Sequence, residues 1–147
     1  MSTVLPEFLD LSFRDDLGLL FGRWLRGTDD AEVRQGYEAA LSVAVTRQAR
    51  YWLLDMRRRG PASNTAMRWV IDAFLPRLVG CLHARIYLAY LLSPSHLSAM
   101  TPPAYAPATP LAHCDIRMFS DEFSALQWLT ACHQQENAAT VVSSHRS

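Results

Sequence analysis

The chain has 147 residues, half of them hydrophobic, and its 14 basic and 14 acidic side chains leave a formal charge of zero. This is one domain's worth of chain, with enough apolar material for a core that needs no metal or disulfide, and a neutral balance lacks the electrostatic footprint of a general nucleic-acid binder. Three widely spaced cysteines, Cys81, Cys114 and Cys132, form neither a disulfide framework nor a Cys-x-x-Cys metal knuckle, and read as small core fillers in a reducing compartment.

The opening residues MSTVLPEFLD lack a basic segment followed by an apolar one, so no signal peptide is predicted. No apolar run approaches the ~20 residues that span a bilayer. The expectation is a cytoplasmic protein without an integral membrane segment. Phe8–Asp15 alternates apolar and polar positions, the period of a strand with one wet face. Asp15–Gly18 carries turn residues, and Leu19–Gly27 reads as the returning strand of an antiparallel hairpin. Gly22 inside it marks a bulge or a close backbone approach. Asp29 and Glu32 have the spacing of a capping box, at the head of a helix that places Val33, Tyr37, Leu41 and Ala44 on one stripe.

Tyr51–Asp55 is a short continuous apolar run, as a strand covered on both faces requires. Gly60-Pro61 breaks the chain, and Ser63 or Asn64 can cap a second helix with Met67, Val70, Phe74 and Val79 on its periodic face. Pro76 falls inside that pattern and predicts a kink or an early end. Ala84–Ser93 is a second near-continuous strand. PSHLSAM then allows one helical turn capped by Ser95, and the proline-dense Thr101–Ala112 is a loop. Cys114–Ser120 is a last, half-exposed strand. Ser120 caps a closing helix with Phe123, Leu126, Trp128 and Leu129 on its apolar side. From Gln134 the chain is polar and small, so the domain is predicted over residues 1–133 and a frayed or disordered tail over residues 134–147. Strands alternating with helices predict an α/β fold: an antiparallel hairpin, then β-α-β-α-β-β-α, with right-handed crossovers joining parallel neighbours in a mixed sheet. Strand order stays open at this level.

Four stretches carry a resemblance: FLDLSFRDDLGLLFGRWLRG, YWLLDMR, WVIDAFLPRL and IRMFSDEFSALQWL. Together, over roughly residues 8–132, they resemble the SpoIIAA-like fold shared by STAS and STAS/SEC14-like domains. The resemblance implies a SpoIIAA-like mixed sheet packed with helices, in a small module that works by binding. It implies protein–protein interaction in bacterial-type signalling or regulation, with SEC14-like binding of a lipid or small apolar ligand as the alternative. No catalysis and no cofactor follow from it. Regulatory STAS domains carry a phosphorylatable Ser or Thr in an Asp-Ser-Ser-Gly-like segment at this helix start. Here the segment reads PASNTAM, without that aspartate; Ser63 and Thr65 are hydroxyls in the region whose first duty is helix capping.

Asp55, Arg57, Arg58 and Arg59 are the candidate anion- or partner-binding residues. They follow the end of a predicted strand and precede a helix N-terminus, where ligand sites of open α/β sheets gather. Three arginines there can hold an anion; the alternative is that Asp55 pairs with one of them and the others are solvated loop charges. No Gly-rich phosphate loop surrounds them. His113, Cys114 and Asp115 are adjacent in a strand, point to alternate faces and make no dyad. The histidines His83, His96, His113, His133 and His145 offer no i,i+4 metal pair. No enzyme activity, metal or cofactor is expected. Apolar groups occupy both parities of the strands, as at Leu19, Leu20 and Phe21, more than three helices cover; a homodimer is therefore the first partner expected.

Overall fold

The computed structural model describes residues 6–99 and 114–144. A five-stranded mixed sheet forms from β1 (Leu9–Arg14), β2 (Leu19–Trp24), β3 (Tyr51–Asp55), β4 (Ile86–Leu91) and β5 (Cys114–Phe119). The strands lie side by side in sequence order; β1 and β2 are antiparallel and the rest are parallel. Such an order advances every crossover in one direction, which places the connecting helices on one face. That face carries α1 (Asp30–Arg47) and the segment α2 (Asn64–Trp69), a single π-helical turn (Val70–Phe74) and α3 (Leu75–Leu82). Leu97 of the short α4 (Pro94–Ala99) joins the same core. Among the described residues only α5 (Glu122–Ser144) covers the other face, where Ala125 and Leu129 pack on Leu19, Tyr51, Leu53, Tyr87, Ala89 and Leu91.

The local signals explain most of these elements. Asp29 and Glu32 form the reciprocal capping box: the Asp29 carboxylate accepts from Glu32 N at 2.8 Å, and Glu32 accepts from Asp29 N at 3.1 Å. All five residues of β3 are buried, as a continuous apolar run predicts for a central parallel strand. Gly22 marks a close approach within a continuous ladder: a Cβ there would stand 2.8 Å from Leu54 Cδ2. Gly36 does the same for the helix layer, since a Cβ would stand 2.3 Å from the Trp24 ring. The small residue lets α1 rest directly on the indole.

Five expectations change. Of the kink or early end expected at Pro76, the early end does not occur: a π turn precedes the proline, and the chain continues helical to Leu82. A proline ring crowds the carbonyl four residues back, here Asp72, and an i→i+5 turn relieves that clash. The fourth helix is capped by Ser93 rather than Ser95, through His96 N to Ser93 Oγ at 3.2 Å. Asp121, not Ser120, caps α5, accepting from Ser124 N at 2.8 Å. Of the predicted apolar side of α5, Leu129 is buried and Leu126 and Trp128 are partly so, but Phe123 is 70% exposed and the unmarked Ala125 is buried. The polar residues after Gln134, read as a frayed tail, continue α5 to Ser144, and Glu136 bonds back to the sheet. A polar composition permits a helix wherever one side chain finds a partner. The predicted loop Thr101–Ala112 and His113 lie outside the described residues.

Candidate functional site

The chain turns sharply after β3, and the turn divides the four candidate residues between the two faces of the sheet. Strand parity sets the first step. Leu54 faces α1, so Asp55 faces α5. There it is 4% exposed and fully engaged. Its carboxylate accepts from Arg57 N at 3.1 Å, Arg57 Nε at 3.0 Å and Arg57 Nη2 at 2.9 Å. Arg23, its register neighbour on β2, approaches at 3.3 Å and bridges on to Glu122 of α5 at 3.1 Å. Burial pushes the Asp55 pKa up, but the Arg57 hydrogen bonds and the charges of Arg57 and Arg23 outweigh it, leaving the carboxyl below its ordinary value. This cluster is closed, and it locks the start of α5 against the sheet.

Arg58 is exposed. Arg59 goes the other way. Gly60, at φ +74°, donates to Met56 O at 2.9 Å and closes a turn that a side chain at that position would strain. The Arg59 side chain then lies over the Trp24 ring, 4.8 Å from its centroid. Its Nε reaches Gly60 O at 3.4 Å, but Nη1 is buried and has no hydrogen-bond partner among the described residues.

Arg59 borders a cavity of about 70 Å³ under α1, α2 and α4, at the carboxyl ends of β3, β4 and β5. The walls are apolar for the most part, including Met56, Val70, Leu75, Leu92, Ile116 and Met118. Three further polar side chains reach it. Tyr37 of α1 and Tyr90 of β4 share a hydrogen bond between their hydroxyls at 2.9 Å. His96 of α4 presents Nδ1, also buried and without a partner among the described residues. Burial raises the pKa of both tyrosines, and the Arg59 charge acts against it, with hydrogen bonding from Tyr90 and Arg59 adding to that at Tyr37. Burial, and then the same Arg59 charge, pull His96 below its ordinary value, so its imidazole is neutral at neutral pH.

The remaining candidates have local duties. Ser63 Oγ accepts from Ala66 N at 3.0 Å as the cap of α2 and donates to Asp30 at 2.6 Å. Thr65 is exposed on the first turn of that helix. Cys114 is buried, its thiol pushed up to about 11 chiefly by burial. Among the described residues no group of three or more His, Cys, Asp or Glu side chains is placed to hold a metal ion, and no helix is long and apolar enough to cross a membrane.

The structure therefore keeps Asp55 and Arg57 together, leaves Arg58 in solvent and separates Arg59 from all three. Tyr37, Tyr90 and His96 were not marked as site residues by sequence reasoning; Tyr37 was read as core stripe and Tyr90 as strand. One signal existed: a tyrosine at a buried position brings a hydroxyl that needs a partner. Comparison with protein-family models, curated proteins and solved structures finds no match for this chain.

Proposed function

We propose that this chain is a non-catalytic binding module that takes a small molecule into the cavity between Arg59 and the Tyr37–Tyr90 pair. The observation that carries the reading is the buried Arg59 Nη1, a donor that finds no acceptor among the described residues in an apolar cavity. Buried polar groups are ordinarily satisfied, and an exception asks for a missing partner. The position agrees with the rule that ligands of open α/β sheets gather at the carboxyl ends of the strands. The size supports a molecule of few heavy atoms and not a lipid, since drug-sized sites run to about 300–1,000 Å³. The resemblance to STAS domains supports a regulatory use of such a site, with occupancy passed on to a protein partner.

The test is a titration of wild-type protein with butyrate, butyramide and 1-butanol, followed by amide chemical shifts. Saturable changes around Arg59, Tyr90 and His96 are expected for at least one probe, and their loss in Ala62→Phe, which fills the cavity. No saturable change with any of the three sinks the reading.

Self-association is a second reading, favoured by Phe123, 70% exposed on α5 beside the half-buried Leu126. Its partner would be a second copy of the chain. Sedimentation at several concentrations should show a dimer that Phe123→Ser dissolves; monomer mass persisting at high micromolar protein overturns it.

A further inference from the structure

Resting on the reading of the cavity as a ligand site, the donors around it define the ligand more closely. Arg59 Nη1 can only donate. In the Tyr37–Tyr90 pair one hydroxyl donates to the other, which leaves the second hydroxyl's own proton free to donate elsewhere. Arg59 Nη1 and the free hydroxyl proton of the pair can both donate to one occupant, and an occupant that accepts from both completes the guanidinium. Charge gives the next constraint. Arg59 is the one formal cation among the described residues lining the cavity, no carboxylate lines it, and His96 is neutral. Arg59 is half-buried with its Nη1 out of solvent, and a charge so placed favours a counter-charge of equal size. A dianion would leave one negative charge uncompensated among Met56, Val70, Leu75 and Ile116. A carboxylate matches both the single charge and the fork of donors a guanidinium offers.

Volume gives the third constraint. At about 70 Å³ the space is roughly half that of an engineered 150 Å³ cavity that accepts benzene. It suits a molecule of about six heavy atoms, and beyond the anionic end the walls are apolar. We propose that the cavity is a binding site for a short-chain aliphatic monocarboxylate, its carboxylate on Arg59 and the tyrosine pair, its alkyl chain between α2 and the β4–β5 surface.

Calorimetric titration of the wild-type chain with sodium butyrate, at matched ionic strength, tests this against butyramide and inorganic phosphate. Butyrate is expected to bind at least tenfold tighter than butyramide, with no competition from phosphate. Arg59→Met should erase the preference while keeping butyramide binding, and Tyr90→Phe should reduce it several-fold. Butyramide binding as tightly as butyrate overturns the carboxylate assignment but leaves the cavity reading standing; phosphate displacing butyrate overturns it in favour of a tetrahedral anion. Failure of all three probes, together with 1-butanol, removes both. The three-ligand comparison uses wild-type protein alone, so it decides the assignment even if Arg59→Met fails to fold.

Discussion

Asp55 and Arg59 are four residues apart, on opposite faces of one sheet, and their surroundings are opposites. Around Asp55 the hydrogen-bonding capacity is spent: two arginines hold the carboxylate, and one of them ties it to α5. Around Arg59 it is not, since a buried guanidinium nitrogen and a buried imidazole nitrogen face open space without partners among the described residues. Structural charge clusters close on themselves, because an unsatisfied buried group costs about 1–3 kcal/mol. On the function proposed above, the open cluster is kept for something that binds there. The charge run at Asp55–Arg59 is therefore two sites, one architectural and one available.

Substitutions can break or sharpen that contrast. The largest effect is expected from the core ring on which Arg59 rests. Trp24 is 1% exposed and carries Arg59 on its ring. Trp24→Ala should cost about 3–5 kcal/mol in denaturant unfolding and abolish ligand binding as well. A loss under about 1 kcal/mol would show that the indole beneath Arg59 is not part of the core.

Next comes the closed cluster. Asp55→Ala should cost about 2 kcal/mol, less than a deeply buried pair, because the side chains of Arg23 and Arg57 are 39% and 40% exposed and partly screened. Its pH dependence has a definite sign. The folded-state pKa of Asp55 is depressed, so its contribution is complete above the ordinary carboxylate pKa and is lost as pH falls through the lowered value. Stability of the wild type should decline on the acid side, and Asp55→Ala should flatten that decline. A variant whose acid limb parallels the wild type would show that the pairing contributes nothing.

The open cluster should respond in the opposite direction. Arg59→Met loses a cation–π contact worth about 0.5–1 kcal/mol but removes an unsatisfied buried donor worth about 1–3 kcal/mol. The expected result is a protein unchanged or up to about 2 kcal/mol more stable, the usual sign of a functional group held against stability. A loss above about 1.5 kcal/mol would class Arg59 with the architectural arginines. The smallest effect belongs to Phe123→Ser on the outer side of α5, which should leave monomer stability within about 0.5 kcal/mol; a larger change by thermal unfolding would mean that this ring packs on something.

Much of the frame was legible because its signals are local. YWLLD reads as a central strand because a strand buried on both faces has no polar position to spare. Asp29 and Glu32 read as a capping box because the two bonds close within a single turn. The candidate site was half legible. Its place after β3 followed from the strand-end rule, and Asp55 paired with an arginine as one alternative held. The grouping of three arginines did not hold, because loop residues have no fixed side-chain period and a single positive-φ glycine sends Arg59 across the sheet. Tyr37, Tyr90 and His96 come from three different elements, so no spacing connects them.

The sequence by itself determined the kind and order of the elements, the cap of α1, and the burial of β3 and β4. Those outcomes depend on neighbours within a few residues along the chain. Tertiary structure alone decided the sequential strand order, the assignment of α5 to the far face, and the extension of that helix to bring Glu136 to Arg50 and Tyr87. It alone decided that Arg59 meets two tyrosines and a histidine around an open cavity. The physical reason is that side-chain satisfaction is a property of the assembled volume: whether a buried donor has an acceptor depends on which distant segments pack beside it, and that is known only when the chain has folded.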